Sequence, residues 1–462
     1  MRPELTRSGL TLRARRMVTP DGERSGVLVV RDGLIAEVLT DASDRGAGGP
    51  AADIEVPGSC VLMPGLVDSH VHVNEPGRTQ WEGFATATAA AAAGGVTTLA
   101  DMPLNSIPAT TSVAALRAKQ AAARGKLAVD VAFWGGAVPG NLGDLRLLHE
   151  AGVVGFKCFL LPSGVPEFEP LDPERLRAAM TEIAAFGGLL VAHAEDPRVI
   201  DAAPPPHGRG YQGFLASRPP AAETVAVREL LAATRLTGCR THIVHLSAAA
   251  ALPQIARARQ DGLPVTVETC PHYLTLAAGQ VPDGATQFKC CPPIRDEANQ
   301  DRLWQALADG VIDCVVSDHS PCPVAAKHLD TGDFGAAWGG IASLQIGLPA
   351  VWTAAAARGV SLTDLARWMA RAPATLIGLP DRGEIRPGRQ ADFCVFAPEE
   401  EFIVDPVRLR HRHKVSPYAG RTLRGVVRQA WLRGEVVEPD SAGGRLVRRQ
   451  GQERQGQEGR GG

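Results

Sequence analysis

Between residue 60 and about residue 360 the chain repeats one pattern. A short apolar, β-branched run is followed by a polar residue, a loop, and an Ala/Leu-rich stretch with helical spacing. The runs at 61–73, 96–104, 128–135, 153–160, 188–195, 241–247, 264–270 and 311–318 predict eight strands. Each is apolar enough to be buried on both faces, as parallel strands beneath helices are. Helical periodicity covers 82–93, 112–124, 173–186, 222–237, 250–261 and 300–309. Helical stretches here end in Gly125, Gly152, Gly187, Gly238, Gly262 and Gly310, the residue type that closes helices in a left-handed turn. Eight strand–helix units in series predict an α/β fold, a (β/α)8 TIM barrel spanning 61–382. The competing open doubly wound sheet usually carries a Gly-rich phosphate loop after an early strand, and neither GxGxxG nor a Walker A motif occurs.

The flanks follow a different pattern. Residues 1–60 and 383–440 carry short strand-like runs bounded by turn residues, at 26–39, 383–396 and 423–437. They predict a small β-sandwich domain formed from both chain ends. The segment 441–462 is rich in Gly, Gln and Arg with few apolar residues, and is expected to be a disordered tail.

Composition narrows the functional classes. The 462 residues are 45% hydrophobic and 21% charged, an ordinary globular balance with ample core and no need of disulfides. A length divided by roughly 150 residues per domain gives about three domains; a barrel does not divide there, so two are expected. A net charge of −2 argues against nucleic acid or an anionic membrane as partner. The apolar runs are too short and broken to span a bilayer. The opening MRPELTRSGLTLRARR has no apolar segment of the secretory kind, so a cytoplasmic location is expected. Nine cysteines without a CxxC pair read as free thiols of a reducing compartment.

The chemistry gathers at predicted strand ends, where barrel enzymes carry their sites. His70 and His72 close the first strand. Alternate strand residues share a face, so both imidazoles can reach one metal while Val71 packs away. His193, His245 and Asp318 close the fifth, sixth and eighth strands, and imidazole with carboxylate suits zinc or a similar divalent ion. Lys157 closes the fourth, between Phe156 and Phe159, where burial disfavours an ammonium. It reads as a snorkelling lysine, a Schiff-base lysine, or a lysine carbamylated by CO2. A carbamate carries negative charge and two oxygens, so it can bridge two metals, and it accounts for most of the converging set.

The set His70-x-His72, Lys157, His193, His245 and Asp318 resembles the cyclic amidohydrolases of the binuclear-metal amidohydrolase superfamily. The resembling stretches are 65–108, FWGGAVPGN (133–141), GFKCFLLPSG (155–164), AHAED (192–196), ETCPHYLTL (268–276), KCCPPIRD (289–296), SDHSPC (317–322) and WGGIASLQ (338–345). GEIRPGRQADFCVF (383–396) and HKVSPYAGRTLRG (413–425) also fit, so the resemblance runs over about 25–440. It implies two divalent metal ions per subunit, zinc favoured over cobalt, iron or manganese. One metal would take His70, His72, Asp318 and the carbamate of Lys157 (N6-carboxylysine), the other His193, His245 and the same carbamate. A hydroxide shared by the metals would attack a ring carbonyl, with Asp318 as catalytic proton acceptor and then donor to the leaving nitrogen. Relatives are commonly homo-oligomers, and a tetramer is expected.

Within that family the wording is most similar to the allantoinase group. Dihydroorotases carry HxHxR, whose Arg holds a substrate carboxylate, whereas Asn74 stands here and suits a neutral ureide such as allantoin. Hydantoinases and dihydropyrimidinases usually have a Tyr soon after the carbamylated Lys, whereas Leu160, Leu161, Pro162 and Ser163 stand here. The resemblance also nominates Cys291, Pro292, Gly339 and Gly340 as substrate contacts, with Asn105 and Ser106 near the mouth. A non-catalytic scaffold relative is the remote alternative, disfavoured because all six ligand positions are filled. Other polar residues read as structural. His411 and His413, in RHRHK, are expected to be a solvated basic segment. His242 and His319 are expected to face away from the site, His272 to orient it without ligating, and Asp101 to accept from a ligating imidazole.

Overall fold

The computed structural model describes residues 9–40 and 52–449. The chain opens with β1 (Leu10–Thr19), β2 (Gly22–Arg31) and β3 (Leu34–Thr40), an antiparallel meander, followed by β4 (Ile54–Glu55), which pairs with β1 in parallel. The predicted strand 61–73 is two strands. β5 (Val61–Pro64) and β6 (Leu66–Val71) are separated by Gly65, where a Cβ would stand 2.3 Å from Thr97 Oγ1. β5 lies in the sheet of the chain ends, whereas β6 opens the parallel strands.

Those strands continue as β7 (Val96–Asp101), β8 (Asp130–Phe133), β9 (Gly135–Gly136), β10 (Phe156–Phe159), β11 (Leu189–His193), β12 (Arg240–Ile243), β13 (Val265–Thr269) and β14 (Cys314–Val315). Two parallel sets result, in the orders β6-β7-β8 and β14-β13-β12-β11-β10-β9. Their meeting points are short in sequence or in space. Only Trp134 divides β8 from β9, and its Nε1 donates to Ser69 O at 2.8 Å. On the other side Val71 pairs in parallel with His319, and Ser317 N donates to Asp68 Oδ2 at 3.0 Å. Strands β6, β7, β8, β10 and β11 are buried at every position, as the apolar runs predict for strands covered on both faces.

Helices Phe84–Ala93, Val113–Ala123, Pro173–Ala185, Pro220–Thr237, Leu252–Gln260 and Glu297–Ala308 fall where periodicity puts them. Ser112, Asp172 and Asp296 cap three of them, each side chain accepting from a backbone N–H three residues on. All six expected terminal glycines have positive φ, and Gly238 closes its helix at φ 67°.

Near the C-terminus β15 (Phe393–Ile403), β16 (Thr422–Leu432) and β17 (Glu435–Val436) complete an eight-stranded sheet with the path β17-β16-β15-β5-β1-β2-β3. The two ends are therefore one sheet, stitched by β5. Alternation sorts its side chains. Leu62, Phe393, Val395 and Trp431 enter the core of the end sheet with Leu12 and Leu28, whereas Val61, Met63, Cys394 and Phe396 enter the large core beside the helices. A buried polar junction ties this sheet to β8. Arg382 and Arg433 both reach Asp130, at 2.9 and 3.0 Å, and Asp392 accepts from Arg433 N at 2.8 Å.

The expected disordered tail is partly otherwise. Over 441–449 the chain runs along β8, with Val131 N donating to Arg445 O and Val447 N to Val131 O, both at 2.9 Å. The free backbone edge of β8 gives this apolar-poor segment partners that composition does not reveal. The rest of the tail, 450–462, lies outside the described residues.

Candidate active site

The six predicted ligand residues converge. His70 is the penultimate residue of β6 and His72 follows the strand; Lys157 is in β10; His193 closes β11; His245 follows β12; Asp318 follows β14. All six are buried. Ring centroids are 5.5 Å apart for His70 and His72, 5.4 Å for His70 and His245, and 4.5 Å for His193 and His245. Asp318 Oδ1 lies 3.3 Å from His70 Nε2 and 3.6 Å from His72 Nε2. Donor atoms of His70, His245 and Asp318 all lie within 4.8 Å of one another. His245 and Asp318 hold left-handed backbone, at φ 39° and 44°, a conformation that costs energy in a residue bearing a Cβ and clusters at functional sites.

Burial pushes the imidazoles of His72, His193 and His245 toward the neutral, ligating form. It takes His72 down to about 4, and lowers His193 and His245 as well. Burial alone would raise Asp318, yet the imidazoles of His70, His72 and His245 hold its carboxyl well below the usual range. Lys157 is pushed down to about 8 by burial, only partly opposed by Asp318 and Glu268. Its Nζ lies 4.8 Å over the Phe159 ring, and among the described residues no carboxylate pairs with it. The ring of Phe159 in turn stacks on His193, with centroids 4.7 Å apart.

Two acidic residues that sequence reasoning missed hold the histidines from behind. Glu268, in β13, takes His70 Nδ1 on Oε1 at 2.5 Å, His242 Nε2 on Oε2 at 2.9 Å, and His245 N on Oε1 at 3.2 Å. Burial would raise it, but His70 and His242 bring it down to about 2. Glu195 takes His193 Nε2 at 2.8 Å and pairs with Arg218; burial opposes the Arg218 and His193 charges, which bring it to about 2. The one available signal was a carboxylate set inside an otherwise apolar strand end, in TVETC and AHAED.

Several expectations need correction. Asp101 does not accept from a ligating imidazole: its Oδ2 pairs with Lys119 Nζ at 2.5 Å and its Oδ1 takes Val73 N at 2.8 Å. His411 is not solvated but buried, 5.7 Å from the ring of His319, with neither ring nitrogen bonded. The basic neighbours in RHRHK disguise a position that packing of the 410–414 segment over Glu82 encloses; Arg412 N donates to Glu82 Oε2 at 3.1 Å. His413 is half-buried rather than fully solvated, with Nε2 at 2.8 Å from Gln80 O. His242 is structural, bonded to Thr266 at 2.7 Å as well as Glu268. His319 accepts from Leu344 N on Nδ1 at 3.4 Å and turns Nε2 toward Glu82, 3.5 Å away. His272 is buried with both nitrogens unbonded.

Of the nominated contact residues, Asn74 is fully buried with both amide atoms unpartnered. Cys291 and Gly339 adjoin, since a Cβ on Gly339 would stand 3.3 Å from Cys291 Sγ. Pro292 O accepts from Tyr273 at 2.8 Å. Gly340, at φ 137°, has no room for a side chain, because a Cβ would meet Ser320 O at 2.3 Å. Asn105 has φ 70° and its carbonyl accepts from Arg78 at 3.1 Å, whereas Ser106 turns to Pro108 O at 3.3 Å. All nine cysteines are free. Among the described residues no helix is long and apolar enough to cross a membrane.

The sequence profile of the Amidohydrolase family matches residues 61–437. The chain is 58% identical to the allantoinase of Streptomyces avermitilis over 431 residues, covering 93% of this chain and 96% of that one. It is 48% identical to the allantoinase of Saccharomyces cerevisiae, covering 83% and 84%. Among solved structures, the L-hydantoinase (dihydropyrimidinase) of Arthrobacter aurescens superposes with a TM-score of 0.87 at 31% identity, covering 95% of this chain and 99% of that one.

Proposed function

The chain belongs to the amidohydrolase family, and from that membership we propose that it is an allantoinase, hydrolysing the cyclic amide of the hydantoin ring of allantoin to give allantoate. Water adds across the ring amide: its oxygen bonds to the carbonyl carbon, the carbon–nitrogen bond breaks, and the nitrogen leaves with a proton. The 58% identity to an allantoinase over nearly the whole chain carries the substrate assignment. Asn74 supports it, because a neutral amide suits a neutral ureide and a buried Arg would stand unpaired.

The fold supports the reading. The two parallel sets β6-β7-β8 and β9–β14 are read as one (β/α)8 TIM barrel, with the end sheet as a small β-sandwich domain. In such a barrel His70, His72, Lys157, His193, His245 and Asp318 all belong to the face where chemistry occurs.

The residues fit a pair of divalent metal ions, with zinc the reading that the donor types favour. His70 Nε2 and His245 Nδ1 are buried polar atoms without a hydrogen-bond partner, a state that a bound cation relieves. His70, His72 and Asp318 would hold one ion, His193 and His245 the other, with a carbamate on Lys157 between them. A lysine lowered to about 8 holds a substantial neutral amine fraction near neutral pH, and only the neutral amine attacks CO2. When bound, such ions supply Lewis acidity and a water of lowered pKa.

This chain's own groups do the rest. Glu268 accepts a hydrogen bond from His70 Nδ1–H and so leaves Nε2 with its lone pair, and Glu195 fixes the ring of His193. Asp318, ionised in the resting state, takes a proton from the attacking water and returns it to the leaving ring nitrogen. The enzyme is read as a cytoplasmic homotetramer acting in purine and ureide catabolism.

Rates on allantoin, dihydroorotate, hydantoin and dihydrouracil, compared side by side with metal-reconstituted protein, test the reading. Allantoin is expected to be turned over fastest; a faster rate on any of the other three overturns the substrate assignment.

A further inference from the structure

One cluster near the site is not used by the hydrolytic chemistry. Cys270 follows β13 and begins the short helix Pro271–Thr275, which carries His272 in its first turn. β13 pairs in parallel with β14, Thr269 opposite Val315, so the segment beyond β14 brings Asp318 to the same end of the strands. Donor atoms of Cys270, His272 and Asp318 all lie within 4.8 Å of one another. Both nitrogens of His272 are buried without a hydrogen-bond partner, an arrangement native proteins seldom leave unfilled. Its ring is held edge-on by Tyr273, centroids 4.2 Å apart, and Tyr273 is itself anchored on Pro292 O. The thiol is fully buried, so no exposed-cysteine chemistry accounts for it.

We propose that Cys270, His272 and Asp318 form a third cation site that takes a soft divalent ion, Zn2+ or Cd2+ in excess, and silences the enzyme. Thiolate, imidazole and carboxylate suit zinc and cadmium rather than magnesium or manganese. On binding, the Cys270 sulfur–hydrogen bond breaks, the proton leaves to solvent, and the sulfur electron pair bonds to the cation. The thiolate then offsets one of the two positive charges, and the Asp318 carboxylate is drawn between this cation and the resident ion assigned to it above. Because Asp318 is shared, an ion in this site withdraws the carboxylate from its proton-transfer role. That last step rests on the role of Asp318 argued above; the occupancy of the site does not.

The test titrates protein already holding its resident ions with Cd2+. Bound cadmium per chain, the ultraviolet sulfur-to-cadmium charge-transfer absorption and the rate on allantoin are read together. One further ion per chain is expected, with the absorption rising in step and the rate falling by about tenfold or more. Cys270→Ser should abolish the absorption and weaken the further ion by about tenfold or more, with the cadmium-free rate unchanged. His272→Gln should keep the absorption but shift the titration to about tenfold higher cadmium. Cys291→Ser, which removes the partly exposed thiol, should leave the absorption intact. Absorption surviving in Cys270→Ser, or a further ion binding with no sulfur absorption, overturns the site. If Cys270→Ser fails to fold, an unshifted titration of His272→Gln overturns it instead. If occupancy behaves as expected and the rate does not fall, the silencing is overturned and so is the proton role of Asp318. A poor rate on allantoin alone, with normal occupancy, bears only on the substrate.

Discussion

Glu268 Oε1 lies 2.5 Å from Nδ1 of His70, a contact across 198 positions of sequence. The same carboxylate holds His242 with its other oxygen and the backbone of His245. One side chain thus fixes two of the residues assigned to metal.

Glu268→Gln should therefore weaken metal retention by about 10- to 100-fold, the usual effect of losing the group behind a ligating imidazole. Competition with a chelator, followed by metal analysis of the protein, measures this. Retention equal to the parent would show that His70 is oriented by packing alone.

Lys157→Ala removes the amine on which the carbamate forms. It should lose most of its bound metal together with activity, whereas the fold should persist, since the neighbouring Phe156 and Phe159 keep their packing. Two metals per chain in this variant would rule out a bridging carbamate.

Asp318→Asn keeps the size of the side chain but cannot cycle a proton. Turnover should fall by about 10^2- to 10^4-fold, with circular dichroism unchanged. Near-parent turnover would mean that another group carries the proton.

Asp392 gives a pH test far from the site. Burial, with some help from Asp130 and opposition from Arg382, raises its carboxyl from 3.8 to about 6. The folded state therefore holds a proton that the unfolded state releases, and stability falls as pH rises from about 4 to 6. Asp392→Asn lacks this titration and can still accept from Arg433 N. Relative to the variant, the parent should lose up to about 3 kcal/mol across that window, at ~1.4 kcal/mol per pKa unit. Urea midpoints of both proteins at several pH values decide it; parallel profiles would sink the claim.

Much of the molecule was legible from local pattern. Six helices and the strand ends bearing His70, His72, His193, His245 and Asp318 follow from periodicity that any short window contains. The break at Gly65 was not read from the apolar run, because what divides β5 from β6 is a change of backbone partner, Gly65 N donating to Asp392 O and Leu66 N to Gly95 O. Nor was the burial of His411. Its neighbours Arg410, Arg412 and His413 are polar, and enclosure comes from Glu82 and His319. Residues 441–449 looked too polar to pack, yet they find the open edge of β8.

The sequence by itself determined the α/β alternation, the donor types and the family to which they point, since each depends on residue identity and near neighbours. Only the tertiary structure decided which sheet receives Val61–Pro64, how Glu268 and Glu195 hold the histidines, and that Cys270 and His272 meet Asp318. Those relationships pair groups far apart in the chain, and the free energy that makes them comes from burial and hydrogen bonding that exist only once the strands lie side by side.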